Sequence, residues 1–319
     1  MTPEPAPHVS VIVPARNAAN ELRRLSAALH EQTAARDTFE VLIVDDASTD
    51  GTADAVRTQP LARLIEVPAT IGPYPARNLA VQAARGELLA FTDADCIPAP
   101  DWIERGIARF DNHDVDMIAG GIRIPLDDRP SVVSLVDAAL HLDQELYATR
   151  GYGATANMWV RRSVFDEVGG FNRQILSGGD WEFGHRSAAL GKRLVYAEEA
   201  RVDHPPRERA RELARKGYRL GIGSAQLRLH ANGPLREGRA VWANPGAYLP
   251  ALHVVGKHRL EASGHAPGRL KVAQILLTQY LFLRLPTIAG SFVGSLRERS
   301  GLRPRRGVRT EDVKTERER

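Results

Sequence analysis

Four apolar segments rich in β-branched residues recur along the first part of the chain, and helical patterns separate them. The segments cover residues 9–13, 39–44, 61–67 and 87–91. Between the first two, Leu22, Leu25 and Leu29 mark one face of an amphipathic helix. Strands that alternate with short helices are typical of βαβ units with right-handed connections. We therefore predict an α/β fold whose central sheet is mainly parallel and flanked by helices.

Polar residues follow three of these strands, at the point where each strand ends. Residues 14–17 follow the first strand, residues 45–51 the second, and residues 93–95 the fourth. Because the carboxyl ends of parallel strands meet at one edge of a sheet, we expect these residues to converge on one crevice. The sequence has no glycine-rich phosphate loop of the dinucleotide-binding or P-loop type. The phosphates of a ligand therefore need another partner.

Asp93 and Asp95 are the candidate partner, through a bound metal ion. Two carboxylates at a strand end suit a hard divalent cation such as Mg²⁺ or Mn²⁺, which takes oxygen ligands and recruits phosphate oxygens. On its own, a pair of this kind is more often a solvated turn or a helix cap. The surrounding motifs have to decide between these alternatives.

The second half of the chain is less regular. We predict strands over residues 115–124, 156–160 and 193–198, a helix over residues 132–146, and a helix that begins at Gly178 and closes at Gly191. Residues 201–219 hold seven Arg/Lys and three acidic residues. That stretch is either a solvated charged helix or a segment that contributes to a ligand-binding site.

An apolar segment at residues 272–296 is interrupted by Arg284 and Pro286. A spanning helix needs about 20 apolar residues, and each charge-free run here is shorter. We expect the segment to lie on a membrane surface or to bind a partner, with packing on the core of the chain as the alternative.

Composition and charge exclude several classes of protein. The single cysteine, Cys96, rules out an intramolecular disulfide, and the first residues lack the basic and apolar regions of a signal peptide. We therefore expect a cytoplasmic protein. The net charge of +4 arises in residues 297–319, which hold nine Lys/Arg and five Asp/Glu. Because acids are interspersed and no aromatic residues interleave, we predict a disordered tail and no nucleic-acid partner.

Five stretches together resemble the family 2 glycosyltransferases, which have the GT-A fold. They are residues 9–17, 44–52, 76–78, 93–95 and 178–182, and they occur in the order and spacing of that family. The resemblance implies a GT-A nucleotide-diphospho-sugar transferase fold. It also implies an inverting enzyme that moves a sugar from a nucleoside-diphosphate sugar to an acceptor hydroxyl, in the synthesis of cell-surface polysaccharide or glycolipid.

The resemblance assigns a donor site to Pro14, Ala15, Asn17, Asp45, Asp46, Arg77, Asp93 and Trp181. Asp46 or its neighbour Asp45 would accept hydrogen bonds from a base imide or a ribose hydroxyl. Alternatively, the two aspartates form a turn that caps the helix from Thr52, and both roles are compatible. Arg77 would contact phosphate or nucleobase, with an exposed helix arginine as the alternative. Trp181 would offer a flat apolar face to a sugar ring.

The resemblance also assigns a metal site and a catalytic base. Asp93 and Asp95 would hold Mg²⁺ or Mn²⁺, with His204 as a third ligand, although a lone histidine is normally a structural or surface residue. Asp180 would take the proton of the acceptor hydroxyl, with a helix cap as its alternative role. Many relatives have Glu-Asp where this chain has Gly179-Asp180. A supporting acid is therefore Glu182 or is lost.

We divide the chain into a GT-A catalytic domain (residues 1–230), a helical, partly apolar extension (residues 231–296) and a basic disordered tail (residues 297–319). We expect a metal-dependent transferase of the hexosyltransferase type, in the cytoplasm or peripherally bound at the inner face of the cell membrane. Its partners would be a nucleoside-diphosphate sugar, a glycan or lipid-linked acceptor and an anionic membrane surface. In the family, a stretch such as residues 201–219 shapes the acceptor side or a lid. A nucleotidyltransferase and a noncatalytic nucleotide-sugar-binding adaptor stay open as alternatives.

Overall fold

The computed structural model describes residues 7–111, 114–230, 243–244, 257–265, 267–299 and 314–315. Within these residues the strands form one mixed sheet. The strands are β1 (Val9–Ala15), β2 (Phe39–Asp45), β3 (Ala62–Glu66), β4 (Leu88–Thr92), β5 (Ile97–Pro98), β6 (Met117–Arg123), β7 (Asn157–Arg161), β8 (Leu194–Asp203) and β9 (Lys314–Thr315).

Helices flank this sheet, and most of them connect consecutive strands. They are α1 (Ala19–His30), α2 (Thr52–Arg57), α3 (Pro73–Ala83), α4 (Trp102–Phe110), α5 (Val132–Leu140), α6 (Gln144–Thr149), α7 (Arg162–Val168), α8 (Gly179–Ala189), α9 (Ala210–His230), α10 (Lys257–Ala262), α11 (Arg269–Gln279) and α12 (Leu285–Arg299). A short 3₁₀ turn, Arg36–Thr38, precedes β2, and a π-helical turn, Tyr280–Arg284, joins α11 to α12.

The strand order in the sheet is β5-β8-β6-β7-β4-β1-β2-β3-β9. Strands β3, β2, β1 and β4 are parallel neighbours, which confirms the fold class predicted from the alternation of strands and helices. Strand β7 then runs antiparallel to both β4 and β6. Because β1, β2 and β4 end at the same edge, their polar terminal residues open onto one side of the molecule.

Apolar side chains cover both faces of the sheet. Val9, Val11 and Val13 of β1 belong to a core shared with α1 and α4. Ile12 points to the other face and belongs to a core shared with α3, α7 and α8. Because successive side chains of a strand alternate between faces, a strand buried on both faces reads as a continuous apolar run.

The predicted single helix over residues 132–146 is wrong, because the chain breaks it into α5 and α6. Leu142, between the two, adopts a left-handed backbone conformation with φ of 56°. The Asp143 carboxylate then accepts a hydrogen bond from the backbone N–H of Leu146 at 3.1 Å and caps α6. An N-cap aspartate satisfies a free amide of a new helix, so the apolar pattern alone concealed a helix start.

The C-terminal helices pack tightly along α9. A Cβ added at Gly221 would lie 2.0 Å from the carbonyl oxygen of Thr287, and one at Gly290 would lie 2.1 Å from that of Tyr218. The two backbones approach this closely only because glycine occupies these positions. The helix is continuous from Leu270 to Glu298. The π-helical turn lies immediately before Pro286, which cannot donate a backbone hydrogen bond.

Among the residues that the structure describes, Leu270–Glu298 is the one helix long and apolar enough to cross a membrane, by length and composition alone. Only 17% of its most apolar stretch of 18 residues is buried. Length and composition do not distinguish a membrane span from a helix that lies on a membrane surface.

The predicted disordered tail, residues 297–319, falls mostly outside the described residues, as do residues 231–242 and 245–256 of the predicted extension. Of the tail, α12 continues to Arg299, and β9 pairs antiparallel with β3. The proposed boundary at residue 230 stays a prediction.

Candidate active site

A cavity of about 830 Å³ opens where β1, β2 and β4 end. All candidate site residues except Asp45 line it, namely Pro14, Ala15, Asn17, Asp46, Arg77, Asp93, Asp95, Asp180, Trp181 and His204. They come from the strand ends, from α3 and α8, and from the segment after β8. The sheet edge therefore gathers residues that are far apart in the sequence.

Two turns at the ends of β1 and β2 are bound to each other. The Asn17 side-chain oxygen accepts a hydrogen bond from the N–H of Thr49 at 2.8 Å, and the Ser48 hydroxyl accepts one from the N–H of Asn17 at 2.9 Å. Asn17 and Ala47 both have positive φ angles, of 50° and 54°. A left-handed alanine costs roughly 1–2 kcal/mol, and strain of this kind concentrates at ligand sites. The hydrogen bonds hold this wall of the cavity in a fixed shape.

The neighbouring aspartates after β2 have different surroundings. Asp45 lies outside the cavity lining, and its carboxylate accepts hydrogen bonds from the hydroxyl and the N–H of Ser48, as in a turn. Asp46 faces the cavity, and its carboxylate accepts hydrogen bonds from the N–H groups of Ile71 at 2.6 Å and Gly72 at 3.1 Å. Because a carboxylate offers about four lone-pair positions, Asp46 retains capacity for a ligand.

Arg77 is buried, with 4% of its side chain exposed, and it forms a salt bridge with Asp93. It is therefore not the exposed helix arginine of the alternative interpretation. Its guanidinium also lies 5.6 Å from the ring centroid of Tyr74. Within the described ranges, its Nε has no hydrogen-bond partner. Arg77 thus holds Asp93 in place and keeps one donor beside it.

His204 has the geometry of a metal ligand beside Asp95. Its Nε2 lies 3.6 Å from the Asp95 carboxylate, and its Nδ1 lies 2.9 Å from the backbone carbonyl oxygen of Pro205. Because a carbonyl oxygen only accepts hydrogen bonds, Nδ1 carries a proton, which leaves Nε2 as the nitrogen available for a metal on the side of Asp95. A second hydrogen bond of this type commonly orients metal-binding histidines. The donor set therefore fits a divalent cation.

Cys96 lies within the same group, since one ligand atom each from Asp95, Cys96 and His204 lie within 4.8 Å of one another. Burial, together with the charges of Asp93 and Asp95, raises the pKa of the Cys96 thiol well above its usual value. The thiol therefore stays protonated, and its Sγ lies 3.5 Å from the carbonyl oxygen of Ala156. Only a thiolate binds metals well, so the carboxylates and the imidazole are the better ligands.

Asp180 occupies the first turn of α8 and accepts several hydrogen bonds. The hydroxyl of Tyr74 donates to its carboxylate at 3.2 Å, the N–H of Trp181 at 3.0 Å and the N–H of Thr155 at 3.4 Å. Burial raises the pKa of Asp180, although these hydrogen bonds and the charge of Arg77 act in the opposite direction. A partly buried carboxylate with a raised pKa suits a general base.

Asp180 is not the N-cap residue of α8, although it accepts a hydrogen bond from the first-turn N–H of Trp181. Gly178 is the N-cap residue, in a left-handed conformation with φ of 87°. Glu182 does not support Asp180 either, because its buried carboxylate forms a bidentate ion pair with Arg186 at 2.7 and 2.9 Å. Asp180 is thus the only acidic residue of this turn that lines the cavity.

Several cavity residues were not singled out from the sequence, namely Tyr74, His141, Tyr147, Tyr152, Lys216 and Arg219. Tyr147 and Tyr152 stack with ring centroids 4.8 Å apart and planes 19° apart. These residues lie on α3, α6 and α9, at the C-cap of α5 and in the segment after α6 rather than at strand ends, so strand-end reasoning could not find them. Lys216 and Arg219 fall in the charged stretch 201–219, and the charge of that stretch was the only feature of the sequence that pointed to any of these residues.

Comparisons with known proteins show the family of this chain. The model of the family "Glycosyl transferase family 2" matches residues 10–169. Glycosyltransferase AglE of Haloferax volcanii is 30% identical over 282 residues, which cover 86% of this chain and 92% of that protein. The chain spans about half the length of several other curated relatives that it matches.

Two solved structures share the fold over most of the chain. The mannosyltransferase PcManGT from Pyrobaculum calidifontis, in complex with GDP-Man and Mn²⁺, has a TM-score of 0.60 and 22% identity, covering 93% of this chain and 89% of that one. Residues 1–349 of TarS from Staphylococcus aureus, in complex with UDP-GlcNAc, have a TM-score of 0.53 and 19% identity, covering 93% of both chains. At these identities the likeness concerns the fold alone, and it is the expected GT-A fold.

The matches do not support the nucleotidyltransferase and adaptor alternatives, because the family model and the curated relative describe enzymes of glycosyl transfer. With a strand-end cavity, an acidic pair beside a histidine and a family match over half of its length, this chain belongs to the family 2 glycosyltransferases.

Proposed function

We propose that the protein is a metal-dependent, inverting glycosyltransferase of the hexosyltransferase type. It transfers a sugar from a nucleoside-diphosphate sugar to a hydroxyl of a glycan or lipid-linked acceptor, in the synthesis of cell-surface polysaccharide or glycolipid. The observation that carries this proposal is that one cavity holds both the partly buried carboxylate of Asp180, with its raised pKa, and the Asp95–His204 pair.

The donor would lie along the strand ends. Pro14, Ala15 and Asn17 form a fixed wall for the nucleoside, and Asp46 has lone pairs for a base imide or a ribose hydroxyl. Asp93 and Asp95 with His204 would hold Mg²⁺ or Mn²⁺ next to the diphosphate. When bound, such an ion offsets the negative charge that grows on the departing nucleoside diphosphate. The mannosyltransferase of similar fold contains Mn²⁺ and GDP-Man.

Asp180 would act on the acceptor side. In a single displacement, the acceptor oxygen attacks the anomeric carbon while the bond from that carbon to the diphosphate oxygen breaks. Asp180 takes the proton of the attacking hydroxyl. The bond from the acceptor oxygen to the anomeric carbon then forms as the bond to the diphosphate oxygen breaks. Trp181 lies next to Asp180 in the cavity wall and offers an aromatic surface for a sugar ring.

A panel of nucleotide sugars, screened by thermal shift with Mn²⁺ and with a chelator, tests the donor class. A donor at 100 times its dissociation constant adds about 2.7 kcal/mol to the free energy of unfolding. We expect one base and sugar combination to raise the melting temperature in Mn²⁺ and to lose most of this effect in chelator. If no nucleotide sugar stabilises the protein under either condition, the proposed donor class is wrong.

Membrane binding is a second part of the proposal. One side of the Leu270–Glu298 helix exposes large apolar side chains at intervals of four or seven residues, which places them on one face. They are Leu270, Leu277, Leu281, Leu285, Phe292 and Leu296. An apolar face of this kind suits peripheral attachment to the inner face of the cell membrane, and the basic tail would meet anionic headgroups.

We expect replacement of Leu270, Leu277 and Leu296 by Gln to release the full-length protein from vesicles that contain anionic lipid. These side chains are 77%, 59% and 50% exposed, so the fold should survive the change. Vesicle flotation is the measurement. Leu190→Gln is the matched control, because Leu190 is also 50% exposed but lies at the C-terminal end of α8, as its C-cap residue. Unchanged flotation of the triple variant, or no flotation of the wild type, would show that membrane lipid does not cover this face.

A further inference from the structure

A basic cluster in the cavity wall is not used by the donor and base assignments above. Arg207, Lys216 and Arg219 line the cavity from the segment after β8 and from α9. Beneath them lies Asp137 of α5, with 1% of its side chain exposed. His141, at the end of α5, completes the cluster and also lines the cavity.

One buried carboxylate serves most of this cluster. The Arg207 guanidinium donates to both oxygens of Asp137 at 3.0 and 3.1 Å, and the Arg207 backbone N–H donates at 3.1 Å. Lys216 Nζ donates to Asp137 at 3.3 Å, and His141 Nδ1 lies 2.7 Å from the same oxygen. In the part of the chain that the structure describes, no salt bridge with Arg219 is found. Asp137 therefore does not neutralise all of these cations.

The pKa values of the cluster follow from this crowding. Burial lowers the pKa of His141 to about 4, so its imidazole is neutral. Burial, opposed by Asp137 and reinforced by Arg207 and Arg219, lowers the pKa of Lys216 to about 7. Although burial acts to raise it, the partner groups hold the pKa of Asp137 well below its usual range. The two arginine charges therefore exceed the single negative charge of Asp137, and Lys216 adds to the positive side when it is protonated.

Arg219 is exposed at the cavity wall and, within the described residues, forms no salt bridge, so its guanidinium can donate charge-assisted hydrogen bonds to an anion. We propose that Arg207, Lys216 and Arg219 form a second phosphate-binding subsite, separate from the Asp93, Asp95 and His204 group, and that it takes a phosphate group of the acceptor. This inference rests on the proposed glycosyl transfer. The donor diphosphate carries the same chemistry, so the experiment has to separate the two sources.

The packing of α9 favours the acceptor, rather than the donor, as the molecule whose phosphate group binds at this subsite. Lys216 and Arg219 lie three residues apart on one face of α9, which faces the cavity. Gly217 and Gly221, on the adjacent face, pack against Leu283 and the α12 backbone. Helix α9 therefore carries the subsite on one face and packs on its adjacent face against the helix that we assign to the membrane. A lipid-linked acceptor held at the membrane would thus be near the subsite.

Binding of farnesyl phosphate, compared with farnesol, tests the subsite by calorimetry. A hydrogen bond to a charged group contributes about 1.5–3 kcal/mol. We therefore expect Arg219→Gln and Lys216→Met each to weaken farnesyl phosphate binding by roughly tenfold or more. Binding of farnesol, and of GDP or UDP with Mn²⁺, should stay unchanged. The matched control is Arg215→Gln, which removes the same charge from an exposed position of α9 outside the cavity.

The possible results distinguish an acceptor phosphate from the donor diphosphate as the ligand of the subsite. Weakened nucleoside diphosphate binding with unchanged farnesyl phosphate binding would overturn the acceptor assignment. Equal loss in Arg215→Gln, or no loss in either variant, would overturn the subsite itself. If the wild type binds farnesyl phosphate but no nucleoside diphosphate, the proposed donor is wrong and the subsite stands. Should Lys216→Met fail to fold because it leaves Asp137 short of a partner, Arg219→Gln alone decides the question.

Discussion

Asp180→Asn should reduce turnover by roughly 10² to 10⁴, the usual contribution of a positioned general base. An amide cannot take a proton from the acceptor hydroxyl, whereas its carbonyl oxygen can still accept the hydrogen bonds from Tyr74 and Trp181. The fold and donor binding should therefore survive. Steady-state turnover, paired with calorimetry of the nucleoside diphosphate, measures both quantities.

Asp54→Asn is a matched control for this variant, because Asp54 has 84% of its side chain exposed and lies outside the cavity. If turnover of Asp180→Asn is close to that of the control, Asp180 has a structural role and is not the general base. A loss of donor binding equal to the loss of turnover would also contradict the assignment, since a base acts on the acceptor.

The pH profile gives an independent check on Asp180. A general base works in its deprotonated form, so kcat/KM rises with pH through the pKa of the base and levels off above it. Because burial raises the pKa of Asp180, we expect this acid limb above the usual pKa of an aspartate. The limb should disappear from the residual activity of Asp180→Asn. If the acid limb of the pH profile is unchanged in the variant, it reports the titration of a group other than Asp180.

Asp95→Ala should abolish transfer and remove the dependence of donor binding on Mn²⁺. Without this carboxylate, the Nε2 of His204 loses the neighbour 3.6 Å away, and the diphosphate would face Asp93 without a fully held cation. Calorimetry of GDP or UDP, with Mn²⁺ and with chelator, is the measurement. Titration of Mn²⁺ alone adds a readout that does not depend on the donor.

Asp54→Ala serves as the control for Asp95→Ala, since it removes an exposed carboxylate elsewhere. The nucleoside diphosphate could instead bind independently of metal and equally well to Asp95→Ala and to the wild type. That result would contradict the assignment of Asp93 and Asp95 as metal ligands. His204→Gln should weaken Mn²⁺ binding less than Asp95→Ala, because an amide oxygen can still act as a weak metal ligand.

The strand ends show how far sequence reasoning reaches into the site. The segments after β1, β2 and β4 were predictable because a parallel sheet brings its carboxyl ends together, whatever the packing details. The pattern could not decide between Asp45 and Asp46, because neighbouring residues in a turn differ only in the direction of their side chains. In the structure, Asp46 faces the cavity and Asp45 binds Ser48.

Residues outside the sheet edge show where that reasoning stops. The helix pattern over residues 132–146 concealed the break at Leu142, and this break places His141 and Tyr147 in the cavity wall. Lys216 belonged to a stretch that reads equally well as a solvated helix. Its burial against Asp137, about 80 residues away, depends on the packing of α9 on α5.

The sequence by itself determined the α/β class, the parallel half of the sheet and the residue types that meet at its edge. Local periodicity and the geometry of βαβ units carry that information in every short segment. Only the tertiary structure decided which side chains face the cavity, that Arg77 binds Asp93, and that Nε2 of His204 lies beside Asp95. These features depend on contacts between segments distant in sequence, and such contacts exist only after the elements have packed.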